Sequence, residues 1–283
     1  MGKVYLPESL QAVFDIMSGE PEAVLYAGGT DLFVKSPPGK KDDRPLVCIE
    51  RIGELKGISD LGDEVRIGAC TTHSEPIANR LIGEYFPLLK RAAAHIGAPA
   101  VRNMGTIGGN ICTASPAGDT LPPLYIYNAE VELRSGRGVR RLPLSSFIQG
   151  PGQTMLDKGE VLSAVYIGKG HGFTFCHFEK VGQRRAMAIS VASFAFAAAL
   201  SEDGSVEKAR CAFGSVAPTV LTMEALDACF TGRHIDEPTL RQAAALVREG
   251  VSPISDVRAS KEYRRAVAGN LVMRLESSPQ VAR

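Results

Sequence analysis

Arg102-Asn103-Met104-Gly105-Thr106-Ile107-Gly108-Gly109-Asn110-Ile111 is the stretch on which the reading of this chain turns, with Ser115-Pro116 and Asp119 following closely. It sets two adjacent glycines beside a threonine hydroxyl and an asparagine amide. Ala27-Gly28-Gly29-Thr30-Asp31-Leu32 repeats the formula near the start of the chain, with a carboxylate in place of the amide. Glycine lets a bare backbone N–H approach an anion while neighbouring side chains hydrogen-bond it. Two such loops suit a diphosphate and predict a cradle for a phosphorylated cofactor. Either pair alone reads equally well as a tight turn, because a lone glycine motif is weak.

The elements around these loops follow from periodicity. Leu10, Val13, Phe14 and Met17 recur at helical spacing and predict an amphipathic helix ended by Gly19. Val4-Tyr5-Leu6, Val24-Leu25-Tyr26 and Leu46-Val47-Cys48-Ile49 read as strands, so the opening resembles a small βαβ-type unit with the first glycine pair at a strand end. A polar loop is expected over 37–43, a strand over 64–69 and an Ala-rich helix over 88–96. Ala129, Val131 and Leu133 alternate with Glu130, Glu132 and Arg134 before Ser135-Gly136-Arg137-Gly138, which predicts a hairpin, and 161–167 gives another strand.

Gly168-Lys169-Gly170-His171-Gly172 interrupts the apolar pattern on both sides and marks a domain change. Beyond it, 173–178, 189–199 and 206–213 read as three strands, with helices over 222–230, 236–249 and 259–276. The Ala-rich run 186–200 fits a helix as well as a strand on propensity alone.

Composition narrows the functional classes. The chain has 283 residues, 45% of them hydrophobic, enough for two domains at about 100–200 residues each. Thirty-two basic and thirty-one acidic residues leave a net charge of +1, without the basic stripe of a nucleic-acid-binding protein. Neither a secretory signal nor a membrane span is read from the sequence, which predicts a soluble, cytoplasmic protein. Six cysteines stand singly, with no Cys-x-x-Cys pair, so no metal or iron–sulfur site is expected in this chain.

Read together, Thr106-Ile107-Gly108-Gly109-Asn110 and 27–32 resemble the FAD-binding medium subunit of the molybdenum hydroxylases, the family of the xanthine dehydrogenase and carbon monoxide dehydrogenase flavoprotein subunits. The likeness extends over Ile67-Gly68-Ala69-Cys70-Thr71-Thr72, Val101-Arg102-Asn103, Ala114-Ser115-Pro116-Ala117-Gly118-Asp119, 157–162 and Ser255-Asp256-Val257-Arg258-Ala259-Ser260-Lys261-Glu262-Tyr263-Arg264. It implies an α+β fold: a two-part FAD-binding domain of the vanillyl-alcohol-oxidase (PCMH) type over 1–168, in parts of about 1–57 and 58–168. A C-terminal domain of antiparallel sheet plus helices then covers 172–283.

The resemblance also implies a function. FAD in this chain would take electrons from the [2Fe–2S] clusters of a small partner subunit and pass them to an external acceptor, NAD+ being the expected one. A large partner subunit would hold the molybdenum cofactor and oxidise the substrate. No catalytic acid, base or nucleophile is then required here. An autonomous flavin-dependent oxidase of the same fold is the alternative. The family binds FAD noncovalently, so His73 and His95 are expected to be structural, and the missing cysteine-rich insertion argues against the hydroxybenzoyl-CoA reductase branch.

The expected cofactor contacts are Ala27, Gly28, Gly29, Thr30, Asp31 and Leu32 in one loop and Thr106, Gly108, Gly109 and Asn110 in the other. Backbone N–H groups of both glycine pairs would offset roughly two phosphate charges, with Thr30 and Thr106 adding hydroxyl donors. Asp31 is expected to turn from the phosphate and bond backbone. Asn110 either donates to the cofactor or holds its loop. Asp119, acceptor-only when ionised, suits ribose or ribityl hydroxyls, or else caps the helix before Leu121. From the resemblance alone come Ile96 and Leu162 as apolar contacts to the flavin or adenine rings, and Lys180 as a cation near the flavin, with Arg184 or Arg185 as alternatives.

Overall fold

The computed structural model describes residues 2–35, 43–184 and 186–277. Most of the expected loop at 37–43, and Arg185, lie outside the described residues. Two compact units emerge, neither of them continuous in sequence. The first joins Met1–Gly83, Ala98–Ala114 and Asn128–Lys169; the second joins Glu84–Gly97, Ser115–Tyr127 and Gly170–Arg283.

In the first unit, β1 (Val4–Tyr5), β2 (Val24–Tyr26) and β3 (Leu46–Cys48) form a parallel sheet in the order β1-β3-β2. The helix Leu10–Gly19 makes the crossover between β1 and β2, started by Ser9, whose hydroxyl accepts from the Ala12 N–H at 3.2 Å. It buries Leu10 and Val13 against Val47, Ile49, Ile52, Leu55, Cys70 and Val161. The βαβ pattern read from the apolar spacing is what forms, and it leaves the 27–32 loop at the end of β2.

An antiparallel sheet follows, built from β4 (Ile58–Asp60), β5 (Glu64–Gly68), β6 (Glu130–Ser135) and β7 (Gly138–Pro143). After the short hairpin of β8 (Ile148–Gly150) and β9 (Gln153–Thr154), β10 (Val161–Gly168) completes the order β4-β5-β10-β6-β7. Every residue of β10 from Val161 to Ile167 is buried, as an apolar run interrupted only by Ser163 requires of a central strand. Glu132 breaks the simple in–out reading of β6: it is buried and takes Arg134 Nε at 2.8 Å, Ser163 Oγ at 2.7 Å and Tyr166 Oη at 3.0 Å. A carboxylate with that many donors tolerates burial.

In the second unit, β11 (Phe175–Gly182), β12 (Ser190–Leu200) and β13 (Val206–Gly214) form an antiparallel sheet in chain order. Helices Glu224–Phe230, Glu237–Gly250 and Lys261–Met273 accompany it, the last two capped by Asp236 and Ser260. The ambiguous alanine run is a strand. Ala192, Phe194, Phe196 and Ala198 enter the helix-covered core with Phe213 and Phe230, while the intervening Ala195 and Ala197 are buried too. The helix Leu121–Ile126 packs on β12 and β13. Burial on both faces removes the polar alternation that would have identified the strand from sequence.

Candidate cofactor site

The two glycine pairs lie in the first unit and touch one another's loops, but they do different jobs. A Cβ placed on Gly28 would fall 1.7 Å from the Met104 carbonyl oxygen, so the 27–32 loop and the 102–105 stretch meet backbone to backbone. Gly29 has φ 68°, a left-handed conformation natural to glycine, and the Phe33 ring lies where its Cβ would be. Among the described residues, the N–H groups of Gly28, Gly29 and Thr30 have no hydrogen-bond acceptor. The carbonyls of Gly29 and Asp31 are occupied by the N–H groups of Phe33 and Lys35, both at 3.1 Å. Three successive bare donors fit an anion such as a diphosphate.

The second pair is built into a helix, Ile107–Thr113, rather than a loop. Thr106 is its N-cap and accepts the Gly109 N–H at 3.1 Å. The N–H of Ile107 goes to the Thr71 carbonyl at 3.0 Å and that of Gly108 to the Ala69 carbonyl at 2.8 Å. Both N–H groups that were expected to face phosphate, those of Gly108 and Gly109, thus have acceptors within the protein. Gly108 is small for packing: a Cβ there would lie 2.6 Å from Ala69 Cβ. Thr106 keeps its hydroxyl hydrogen to donate. Ala69, the residue after β5, gave no sign in the sequence of this role.

Asp31 does not bond backbone through its side chain as expected. Its Oδ2 accepts from Thr113 Oγ1 at 3.1 Å and pairs with Lys35 Nζ at 2.6 Å, which ties the first loop to the end of the helix Ile107–Thr113. Nothing in the spacing of Asp31 and Thr113 revealed this tie. Leu32 opens the short helix Leu32–Lys35, and Ala27 and Asn110 are half-buried. Leu162 is buried in β10 and pairs in register with Leu133. His73, beside Gly105, is buried and held neutral, its imidazole pushed down to about 4 by burial.

The remaining expected contacts lie in the second unit. Asp119 and Lys180 form a buried ion pair, Nζ to Oδ2 at 2.5 Å, and Nζ also reaches the His95 carbonyl oxygen at 3.2 Å. Asp119 is not the helix cap; Thr120 holds that position. Its Oδ1 is buried with no hydrogen-bond partner among the described residues, an orphan that suits a hydroxyl of a ligand. Burial pushes the carboxyl up to about 6, against the pull of Lys180. Ile96 follows His95, half-buried.

Lys180 opens on a cavity of about 460 Å³, lined also by His95, Gly182, Arg184, Met187 and Ala188. That volume lies in the range of small-molecule sites. Burial, and then the Lys180 charge, lower the His95 imidazole, so the cavity's cations are Lys180 and Arg184. Arg184 is turned back onto its own hairpin, with Nη2 donating to the Met187 carbonyl at 2.7 Å.

Residues 1–169 match the family described as the FAD binding domain in molybdopterin dehydrogenase, and 177–277 match the CO dehydrogenase flavoprotein C-terminal domain. These define a two-domain flavoprotein. The chain is 34% identical over 260 residues to the putative xanthine dehydrogenase FAD-binding subunit of Escherichia coli, covering 90% of this chain and 88% of that one. Its fold superimposes on quinoline 2-oxidoreductase from Pseudomonas putida 86 with a TM-score of 0.91 at 27% identity, covering 97% and 95% of the two chains. It superimposes on carbon monoxide dehydrogenase from Hydrogenophaga pseudoflava with a TM-score of 0.90 at 30% identity, covering 96% and 95%. The chain belongs to the FAD-binding medium subunits of the molybdenum hydroxylases, oxidoreductases of the xanthine and carbon monoxide dehydrogenase type. Among the described residues, no helix is long and apolar enough to cross a membrane.

Proposed function

We propose that this chain is the electron-exit subunit of a molybdenum hydroxylase complex, with the domains running over 1–168 and 172–283. It takes electrons from the [2Fe–2S] clusters of a small partner subunit and delivers them to NAD+, while a large molybdopterin-binding partner oxidises the substrate. The observation that carries this reading is the run of three N–H groups at Gly28, Gly29 and Thr30 that are unengaged among the described residues, with the Met104 backbone closing on Gly28. Bound FAD supplies the bridge between one-electron donors and a two-electron acceptor.

The chain's own residues hold the diphosphate by those N–H groups, with the Thr30 and Thr106 hydroxyls as further donors. Gly108 and Gly109 shape the helix that Thr106 caps, and Asp31 locks the loop to it through Thr113. Asp119 Oδ1 accepts from a cofactor hydroxyl, Lys180 places positive charge at the flavin, and Ile96, Leu162, Ala27, Leu32 and Asn110 complete the contacts. A cation near the flavin raises its potential.

The test is the visible spectrum of the purified chain, with the released flavin identified, followed by anaerobic NADH. Bound FAD bleached by NADH is the expected result. FAD that NADH leaves untouched would remove NAD+ as acceptor. Bleaching by an organic substrate in the absence of partners would establish the autonomous oxidase instead, and a chain that takes up no FAD would overturn the site.

A further inference from the structure

Among the described residues, the segment Ser255-Asp256-Val257-Arg258-Ala259-Ser260 and Arg264 makes no hydrogen bond to the residues given a cofactor role above, yet it is built with unusual care for a surface turn. Asp256 accepts four donors: Oδ1 takes the Arg258 N–H at 2.9 Å, the Ala259 N–H at 3.3 Å and Arg264 Nη2 at 2.8 Å, while Oδ2 takes Arg258 Nη1 at 2.8 Å. Burial opposes ionisation, but those hydrogen bonds outweigh it and hold the carboxyl well below its ordinary value. Arg264 is buried, and its Nη1 donates to the carbonyls of Val191 at 2.7 Å and Ser215 at 3.2 Å.

Val191 is the second residue of β12, and Gln183 is the first residue after β11. Gln183 Nε2 donates to the Arg258 carbonyl at 3.0 Å. Both legs of the hairpin that joins β11 to β12 are therefore tied to the same turn, one through Gln183 and the other through the Arg264 guanidinium. The same hairpin supplies Arg184, Met187 and Ala188 to the wall of the Lys180 cavity. Met187 sits in the hairpin with φ 56°, a left-handed conformation that external restraint helps to hold.

We infer that Asp256, Arg264 and Gln183 are positioning residues: they clamp the β11–β12 hairpin and thereby set the wall of the cavity beside Lys180. The consequence for cofactor binding rests on the reading that this cavity receives part of FAD, whereas the clamp itself does not. Arg264 anchors the turn in the second unit, Asp256 orders the backbone of Arg258, and the Arg258 carbonyl presents a fixed acceptor to Gln183. Losing any link frees one leg of the hairpin.

Gln183 is exposed, so Gln183→Ala removes one link without opening the core. Hydrogen–deuterium exchange in the peptide 183–190 of the ligand-free chain should rise by about fivefold or more in this variant, with the unfolding midpoint unchanged. With FAD as the probe, Kd should rise by roughly three- to tenfold, and the visible circular dichroism of the bound flavin should change. Gln183→Lys, which keeps a donor able to reach the Arg258 carbonyl, should restore all three. Asp256→Asn should move the same readouts further.

Unchanged exchange over 183–190 in both Q183A and D256N would overturn the clamp, whether or not the chain binds FAD. Faster exchange with an unaltered Kd and flavin dichroism would overturn its role in setting the cavity. A wild-type chain that binds no FAD defeats the cofactor reading alone, because the exchange experiment still decides the clamp.

Discussion

Gly28-Gly29 and Gly108-Gly109 are nearly the same in sequence and opposite in use. In the first, the backbone donors are left bare among the described residues, and Gly28 admits a neighbouring main chain at Met104. In the second, every donor from Ile107 to Gly109 is spent within the protein, on Thr71, Ala69 and Thr106, and Gly108 gives up its side chain to lie on Ala69. One pair keeps its hydrogen-bonding capacity; the other consumes it to fix the helix Ile107–Thr113. Whether a glycine pair can serve a ligand therefore turns on what its N–H groups lack, and residue identity alone does not report that.

The sharpest break is Gly28→Ala. Its Cβ would overlap the Met104 carbonyl, 1.7 Å from the oxygen and 2.4 Å from the carbon, so the two backbones must part. FAD affinity should fall by at least about 100-fold, near 3 kcal/mol, with the far-ultraviolet dichroism retained. Gly108→Ala sharpens the contrast from the other side. The added methyl meets Ala69 at 2.6 Å, and overpacking of this kind costs about 1–3 kcal/mol in urea unfolding, partly offset by better helix propensity. Its FAD affinity, measured at a temperature where the variant is folded, should stay within about threefold of wild type. Equal losses of affinity in the two variants would erase the distinction.

What the sequence made legible follows the same line. The βαβ opening was readable because its apolar spacing matches the face it buries, and the 130–143 hairpin was readable from the alternation in β6 and the glycine turn, whereas β12, buried on both faces, left strand and helix equally open. The strand at 58–60 and the helix at 107–113 were not readable, since three residues carry no period and the helix is full of glycine and β-branched side chains that propensity assigns to loops. The proposed site was read as residue types, from the resemblance and the paired glycines. Its wiring was not. That Asp31 meets Thr113, that Asp119 meets Lys180, and that Ala69 takes the Gly108 N–H are all contacts across distant positions.

Asp119 extends the comparison to an acceptor. Its Oδ1 is as unengaged as the N–H groups of the first loop, and burial lifts its carboxyl from 3.8 to about 6. Because the folded-state value is raised, the ligand-free chain gains proton affinity on folding and loses relative stability as pH rises from about 4 through 6. A cofactor hydroxyl donating to Oδ1 selects the ionised form. FAD affinity should then fall about tenfold between pH 7 and pH 5, and Asp119→Asn should flatten that slope. A pH-independent Kd in the wild-type chain would show that Oδ1 is merely buried.

Gly109→Ala carries the smallest expected effect and tests the comparison most directly. Gly109 is exposed, its N–H is already held by Thr106, and an added Cβ would touch only Thr106 Oγ1 at 3.0 Å. Alanine is favoured over glycine in a helix by up to about 1 kcal/mol, which offsets that close contact, so stability should change by less than about 0.5 kcal/mol. FAD affinity should remain within about twofold. If phosphate instead lay directly on Gly109, the methyl would stand between it and the backbone, and affinity would drop steeply at unchanged stability. That result would return the second glycine pair to the ligand and leave Gly108 alone as the packing glycine.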